Sequence, residues 1–152
     1  MSATQSGFRS ALPVPTQDER SMGLLVHVLS IFTGFWAALI IYLIKRDSKF
    51  ISFHALQSLF WHLLYMVISM VFVFGLFFIF FATLITHVVA QHGPGAGPPV
   101  AAFMVFPFFW LGVLLLWAVN LLLGIVFAIK ANAGEWVMYP VVGRWALRAV
   151  GL

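Results

Sequence analysis

Cysteine is absent from this chain, and charge is scarce. The 152 residues include no cysteine, eight Lys and Arg, and four Asp and Glu, so charged residues make up 8% of the sequence. Without cysteine the protein has no disulfide, no thiolate nucleophile and no cysteine-ligated metal. Between Phe50 and Ile129, 80 consecutive residues carry no charged side chain. Because soluble domains average about 25% charged residues, this stretch indicates a membrane-embedded protein.

Catalytic and metal-binding motifs are missing as well. No HExxH, GxSxG or P-loop sequence occurs, the five histidines are scattered, and the four acids lie outside the apolar runs. We therefore expect no enzymatic activity, no metal and no cofactor. The basic residues cluster at the ends of apolar runs, where lipid headgroups account for them, so a nucleic-acid partner is not expected.

The hydrophobic runs predict an all-α membrane protein with three transmembrane helices. A hydrocarbon core of about 30 Å requires about 20 apolar residues, and residues 22–44, 63–85 and 108–129 meet that requirement. The second span is predicted to have an interfacial helical extension from Phe53, because a single helix to Val89 would overshoot the membrane. Residues 1–20 are predicted to form a mobile polar tail, and residues 21–152 a single membrane domain. Trp, Tyr and Arg at 135–150 predict an interfacial C-terminal segment.

Basic residues predict the orientation. The first loop and the C-terminal side hold six of the eight, and the glycine-rich loop at 91–99 holds none. The positive-inside rule therefore predicts that the first loop and the C-terminus are cytoplasmic. A single crossing by the first run, the favoured prediction, then puts the N-terminus outside. The alternative is a fold back at Thr33 and Gly34, which would put all eight basic residues inside but leave arms of only about 17 Å.

Polar and small residues inside the spans form two kinds of stripe. Within an arc of about 80° on the second helix, a polar seam consists of His54, Ser58, His62, Tyr65 and Ser69. It is interpreted either as a hydrophilic path or as interhelical hydrogen bonding. Small and polar residues on the first and third spans predict close helix packing: His27, Ser30, Gly34, Ala38, Asn120, Gly124 and Ala128. Asn120 lies midway along its span and needs a partner, more plausibly a neighbouring helix than a substrate.

A cytoplasmic cap is predicted where the second helix meets the headgroups. Phe53 would anchor the helix start, while His54 and Gln57 would bond to the C-terminal tail that Pro140 and Gly143 shape.

Two stretches carry a family resemblance: WAALIIYLIKRDSKFISFHALQSLFWHLLY, from Trp36, and KANAGEWVMYPVVG, from Lys130. Together they resemble small bacterial membrane proteins of the Tic-twenty-like family, related to a subunit of the chloroplast inner-envelope import translocon. The resemblance implies a helical protein of the bacterial cytoplasmic membrane and a subunit role in translocation.

Two classes of function follow. One is a non-enzymatic scaffold or subunit of a translocation or assembly complex, with the lipid bilayer and other membrane proteins or further copies as partners. The alternative is a small oligomeric transporter or channel that uses the polar seam.

Overall fold

The computed structural model describes residues 12–90 and 99–152, and its regular elements in these ranges are all α-helices. The helices are α1 Gln17–Thr33, α2 Phe35–Ile44, α3 Lys49–Ala90, α4 Val100–Phe103, α5 Val105–Asn132 and α6 Gly143–Ala149. The predicted all-α class is therefore confirmed for this part of the chain. Within it, two helices, α3 and α5, are long and apolar enough to cross a membrane.

The first predicted span is not one helix. Its start lies at Gln17, five residues earlier than expected, because Thr16 and Glu19 form a capping box: the Thr16 hydroxyl accepts from the Glu19 backbone N–H, and the Glu19 carboxylate accepts from that of Thr16. The helix ends at Gly34, whose φ of 65° and ψ of −136° favour glycine. The predicted boundary at residue 20, between the tail and the membrane domain, lies inside α1.

Helices α1 and α2 form a hairpin. The Ser48 hydroxyl, in the turn after α2, donates to Glu19 Oε1 at 2.5 Å, so the end of α2 lies beside the start of α1. Val26 on α1 and Ala38 on α2 are fully buried in one apolar cluster. The favoured single crossing is therefore not observed, and the chain folds back at Thr33 and Gly34. The arm length of about 17 Å was underestimated for α1, which has 17 residues or about 25 Å, whereas α2, with 10 residues, is about 15 Å long.

The chain forms two compact units. Unit 1 comprises the chain up to Leu64 together with Asn120–Leu152, and unit 2 comprises Tyr65–Val119. Helices α3 and α5 contribute to both, since α3 has 42 residues and α5 has 28. Pro107 occupies the third position of α5. A backbone N–H at this position would have no acceptor within the helix, so proline sacrifices no helical hydrogen bond there.

Unit 2 exposes mainly large apolar side chains on its helices. The Phe80 and Phe106 rings meet edge to face, 5.5 Å apart. A Cβ on Gly112 would overlap the Phe72 ring, so glycine here permits close approach of α5 to α3. Large side chains such as Phe78 and Leu114 are 74% and 58% exposed. Such exposure on both helices suits a hydrocarbon environment and would promote aggregation in water.

Unit 1 buries the foot of α3. Nine consecutive residues from Phe50 to Ser58 are buried against the hairpin, the end of α5 and the C-terminal tail. Phe53 contacts Trp136 at a ring distance of 5.4 Å and belongs to a core cluster with Leu56 and Ala146. The predicted anchoring of Phe53 among headgroups is wrong, because the tail covers this part of the helix.

Candidate functional site: a buried polar cluster

Gln57 attaches the C-terminal tail to α3. Its side-chain amide donates to the Val137 carbonyl at 3.0 Å and its carbonyl accepts from the Tyr139 N–H at 2.8 Å. Gly143 lies against the same side chain, and a Cβ there would sit 2.5 Å from the Met138 Cβ and 3.0 Å from Gln57 Oε1. Gln57 thus supplies hydrogen-bond partners to two backbone groups of the extended tail, a segment that has no helical hydrogen bonds of its own.

A chain of three polar side chains crosses the core of unit 1. His27 Nε2 lies 3.1 Å from His54 Nδ1, and the Tyr139 hydroxyl lies 3.4 Å from His27 Nδ1. The three residues are 1%, 0% and 3% exposed respectively. One neutral arrangement satisfies both contacts, in which Tyr139 donates to His27 and His27 donates to His54. Helix α1, helix α3 and the tail are therefore joined by one buried chain of hydrogen bonds.

Aromatic rings enclose Tyr139. The Phe127 ring stacks on it at 3.8 Å with an interplanar angle of 8°, and the Trp61 ring lies at 5.4 Å. Burial raises the pKa of the Tyr139 hydroxyl, because ionisation would leave a charge in an apolar environment. The predicted position of this ring at headgroup depth is wrong: Tyr139 lies in the core, whereas Trp145 on α6 is 54% exposed.

Asn120 has its partner on a neighbouring helix. The Trp61 indole N–H on α3 donates to Asn120 Oδ1 at 3.0 Å. One turn further along α5, a Cβ on Gly124 would lie 2.6 Å from Ile31 Cγ1, so α5 closely approaches α1 there. The sequence predicted that Asn120 needs a partner. It did not identify Trp61 as that partner, because α3 contains many aromatic residues and no local pattern distinguishes one of them.

The predicted polar seam is divided between the two units. Its first three residues, His54, Ser58 and His62, are buried in unit 1, whereas Tyr65 and Ser69 are partly buried in unit 2. His62 Nδ1 donates to the Ser58 carbonyl at 2.8 Å.

Of the predicted packing residues, His27, Ser30, Ala38, Asn120, Gly124 and Ala128 are all buried in unit 1. Gly34 is not a packing residue, because a Cβ there would meet nothing within 4 Å and its backbone makes the hairpin turn. Of the predicted cap, Phe53, His54, Gln57 and Gly143 lie together in unit 1, while Pro140 is exposed.

The N-terminal segment lies at the same end of unit 1 as the tail. The Trp136 indole donates to the Pro13 carbonyl at 3.2 Å, and Arg20 Nε donates to the Pro15 carbonyl at 3.2 Å. These contacts contradict the prediction that residues before the first span lie on the opposite side from the tail. The sequence held a signal for this arrangement, since a fold back at Thr33 and Gly34 puts all eight basic residues on one side.

At this end of unit 1, hydrogen bonds hold the Glu19 carboxylate in place. The Ser48 hydroxyl and the Thr16 backbone N–H, both donating to Glu19, lower the pKa of its carboxyl group. Lys130 and Glu135 form an ion pair at 3.0 Å, and both side chains are exposed to solvent. Within residues 12–90 and 99–152, no group of three His, Asp or Glu side chains is placed to hold a metal ion.

These features define a small helical membrane protein in which buried polar side chains join a helical hairpin, two candidate spans and a C-terminal tail. The chain belongs to the magnetosome magnetite crystal formation protein family, MamF/MmsF, which matches residues 18–146. The match includes the hairpin except for Gln17, both candidate spans, and the three hydrogen-bonded residues His27, His54 and Tyr139. Comparison with curated proteins and with solved structures gives no significant match.

The resemblance to the Tic-twenty-like family is wrong, because the family match is to the magnetosome proteins and nothing supports a Tic-twenty relationship. The two stretches quoted for it are short. Apolar helices that end in basic turns satisfy the positive-inside rule in unrelated membrane proteins, so they carry little family information.

Proposed function

We propose that this protein acts in magnetite crystal formation as a non-enzymatic scaffold of the magnetosome membrane. Membership of the family implies a magnetosome membrane protein involved in crystal formation. The scaffold role is our addition, and it is supported by how the polar side chains are used. Gln57, His27 and Tyr139 are buried and engaged with other segments of the same chain, as expected of groups that fix a shape.

The transporter or channel alternative has less support. A hydrophilic path needs polar side chains that face a water-filled lumen. His54 and Ser58 are instead fully buried within unit 1. A scaffold works by contact, so its partners would be other proteins of the magnetosome membrane or further copies of this chain.

The distribution of basic residues suggests which end of unit 1 faces the cytoplasm. Contacts at one end of unit 1 join the start of α1, the turn after α2 and the tail, and these segments carry Arg20, Lys45, Arg46, Arg144 and Arg148. By the positive-inside rule this end faces the cytoplasm. Single cysteines at Gln17 and Arg148, in a chain without cysteine, should both react with an impermeant thiol reagent from the cytoplasmic side. Labelling from opposite sides would contradict the orientation.

The function is tested by deletion and complementation in a magnetosome-forming host. Deletion should change the size or shape of the magnetite crystals seen by electron microscopy, and the unaltered gene should restore them. Gln57→Ala should fail to restore them at equal protein level, because the tail loses its attachment. Gln17→Ala, the same substitution at an exposed site, is the matched control and should restore them. Unchanged crystals after deletion would refute a role in crystal formation.

The non-enzymatic scaffold role is tested separately. Chemical crosslinking in isolated magnetosome membranes should join the intact chain to a neighbouring protein or to a second copy, and Gln57→Ala should reduce that product while Gln17→Ala does not. A chain that supports normal crystals yet gives no crosslinked product would exclude a scaffold.

A further inference from the structure

A cavity of about 270 Å³ lies at the charged end of unit 1, between the turn after α2 and the end of α6. Its lining residues are Tyr42, Arg46, Asp47, Lys49, Ser52, Ala149 and Val150. It shares no lining residue with the buried polar cluster.

The Arg46 side chain is oriented by a neighbouring ring, and neither Arg46 nor Lys49 forms an ion pair with a described residue. The Arg46 guanidinium lies over the Tyr42 ring, 5.2 Å from its centroid, which restricts its orientation. The Ser52 hydroxyl approaches the carbonyls of Lys45 and Arg46 at 3.3 and 3.4 Å, fixing the turn. Across the part of the chain that the structure describes, the ion pair found is Lys130 with Glu135, so neither Arg46 nor Lys49 is paired there.

Apolar side chains lie close to the charged residues of the cavity. Helix α2 exposes Ile40, Leu43 and Ile44 within two turns of Arg46, at 52%, 51% and 68%. Val150 adds an apolar side chain to the cavity wall. Ile40 and Ile44 lie about 160° around α2 from Tyr42, so the apolar part of a ligand in the cavity would contact Val150 rather than these two side chains.

We propose that this cavity binds the phosphate of a membrane phospholipid, with Arg46 and Lys49 as the hydrogen-bond donors and Val150 against the start of an acyl chain. Guanidinium and ammonium groups bind phosphate through charge-assisted hydrogen bonds. Two cations and one carboxylate leave a net single positive charge, which matches the single negative charge of a phosphodiester. Asp47 opposes the phosphate and limits the affinity. The site is independent of the role in crystal formation.

The experiment uses the purified full chain in mild detergent after lipid removal. Phosphatidylglycerol is titrated in, and its binding is measured by native mass spectrometry and by the shift in Tm. We expect about tenfold weaker binding for Arg46→Gln and again for Lys49→Gln, and tighter binding for Asp47→Asn. Arg144→Gln removes an exposed positive charge that does not line the cavity, and it should bind as the unaltered chain does.

Two further arms identify the source of the phosphate. Inorganic phosphate, which has no acyl chain, should neither raise Tm nor compete at equal concentration, and diacylglycerol, which has no phosphate, should not bind. Equal binding by the Arg46→Gln, Lys49→Gln double variant and the Arg144→Gln control would overturn the site. Saturation of the site by inorganic phosphate alone would overturn a lipid as the ligand. The Tm of each variant without lipid verifies folding, and a Tyr42→Phe variant, which keeps the ring, should retain binding.

Discussion

Gln57→Ala should loosen the C-terminal tail more than any substitution at an exposed glutamine. The change removes the donor to the Val137 carbonyl and the acceptor for the Tyr139 N–H. Tyr139 is buried, so its N–H is left without a partner at a cost of about 1–3 kcal/mol. The Val137 carbonyl is only partly buried and can recruit water, so its loss costs about 0.5–1.5 kcal/mol. The sum predicts a loss of about 1.5–4.5 kcal/mol in the free energy of unfolding.

The assay has two readouts on purified protein in detergent. Denaturant titration gives the free energy of unfolding, and limited proteolysis of a C-terminally tagged chain reports whether the tail is attached. Gln57→Ala should be destabilised and lose its tag early, whereas Gln17→Ala, at the exposed start of α1, should match the unaltered chain. Equal stability and equal protection of the two variants would refute the role of Gln57. If the tail is released without a loss in the free energy of unfolding, the calculated cost is wrong, but the role of Gln57 in attaching the tail is supported.

Three further predictions concern the hairpin, the approach of α5 and pH. Gly34→Ala should cost about 1–3 kcal/mol by denaturant titration, because its φ of 65° disfavours a side chain; Gly75→Ala, in open space within α3, should cost nothing, and equal effects would contradict a strained turn. Gly124→Leu should lower Tm more than Leu122→Ala, because Gly124 is buried against α1 and Leu122 is 62% exposed; similar Tm values would exclude close packing there. The lowered pKa of Glu19 predicts a stabilising contribution that is present above its unfolded value near 4.5 and is lost as pH falls through the folded value; Glu19→Gln should flatten that dependence, and an unchanged pH profile would contradict it.

Composition by itself determined the membrane character and the all-α class. A run of 80 uncharged residues cannot be covered by water, and in hydrocarbon a helix satisfies its own backbone hydrogen bonds. The predicted spans at 63–85 and 108–129 lie within the helices α3 and α5, which could be recognised because both depend on local hydropathy and are separated by a glycine- and proline-rich stretch of sequence. Asn120 could be recognised as needing a partner for the same reason, since an amide in an apolar helix is costly wherever the helix packs.

Tertiary structure decided the path of the first segment and the identity of every partner. Hydropathy cannot distinguish one crossing from a hairpin, because both bury the same apolar residues; the backbone at Gly34 and the contact from Ser48 to Glu19 decide it. The pairs Gln57 with Tyr139 and His27 with Tyr139 join residues separated by 82 and 112 positions. Such pairs depend on how the helix ends converge, which no local pattern encodes. Local sequence therefore determined which groups could not stay unpaired in a membrane, and the tertiary structure determined which of these groups pair with each other.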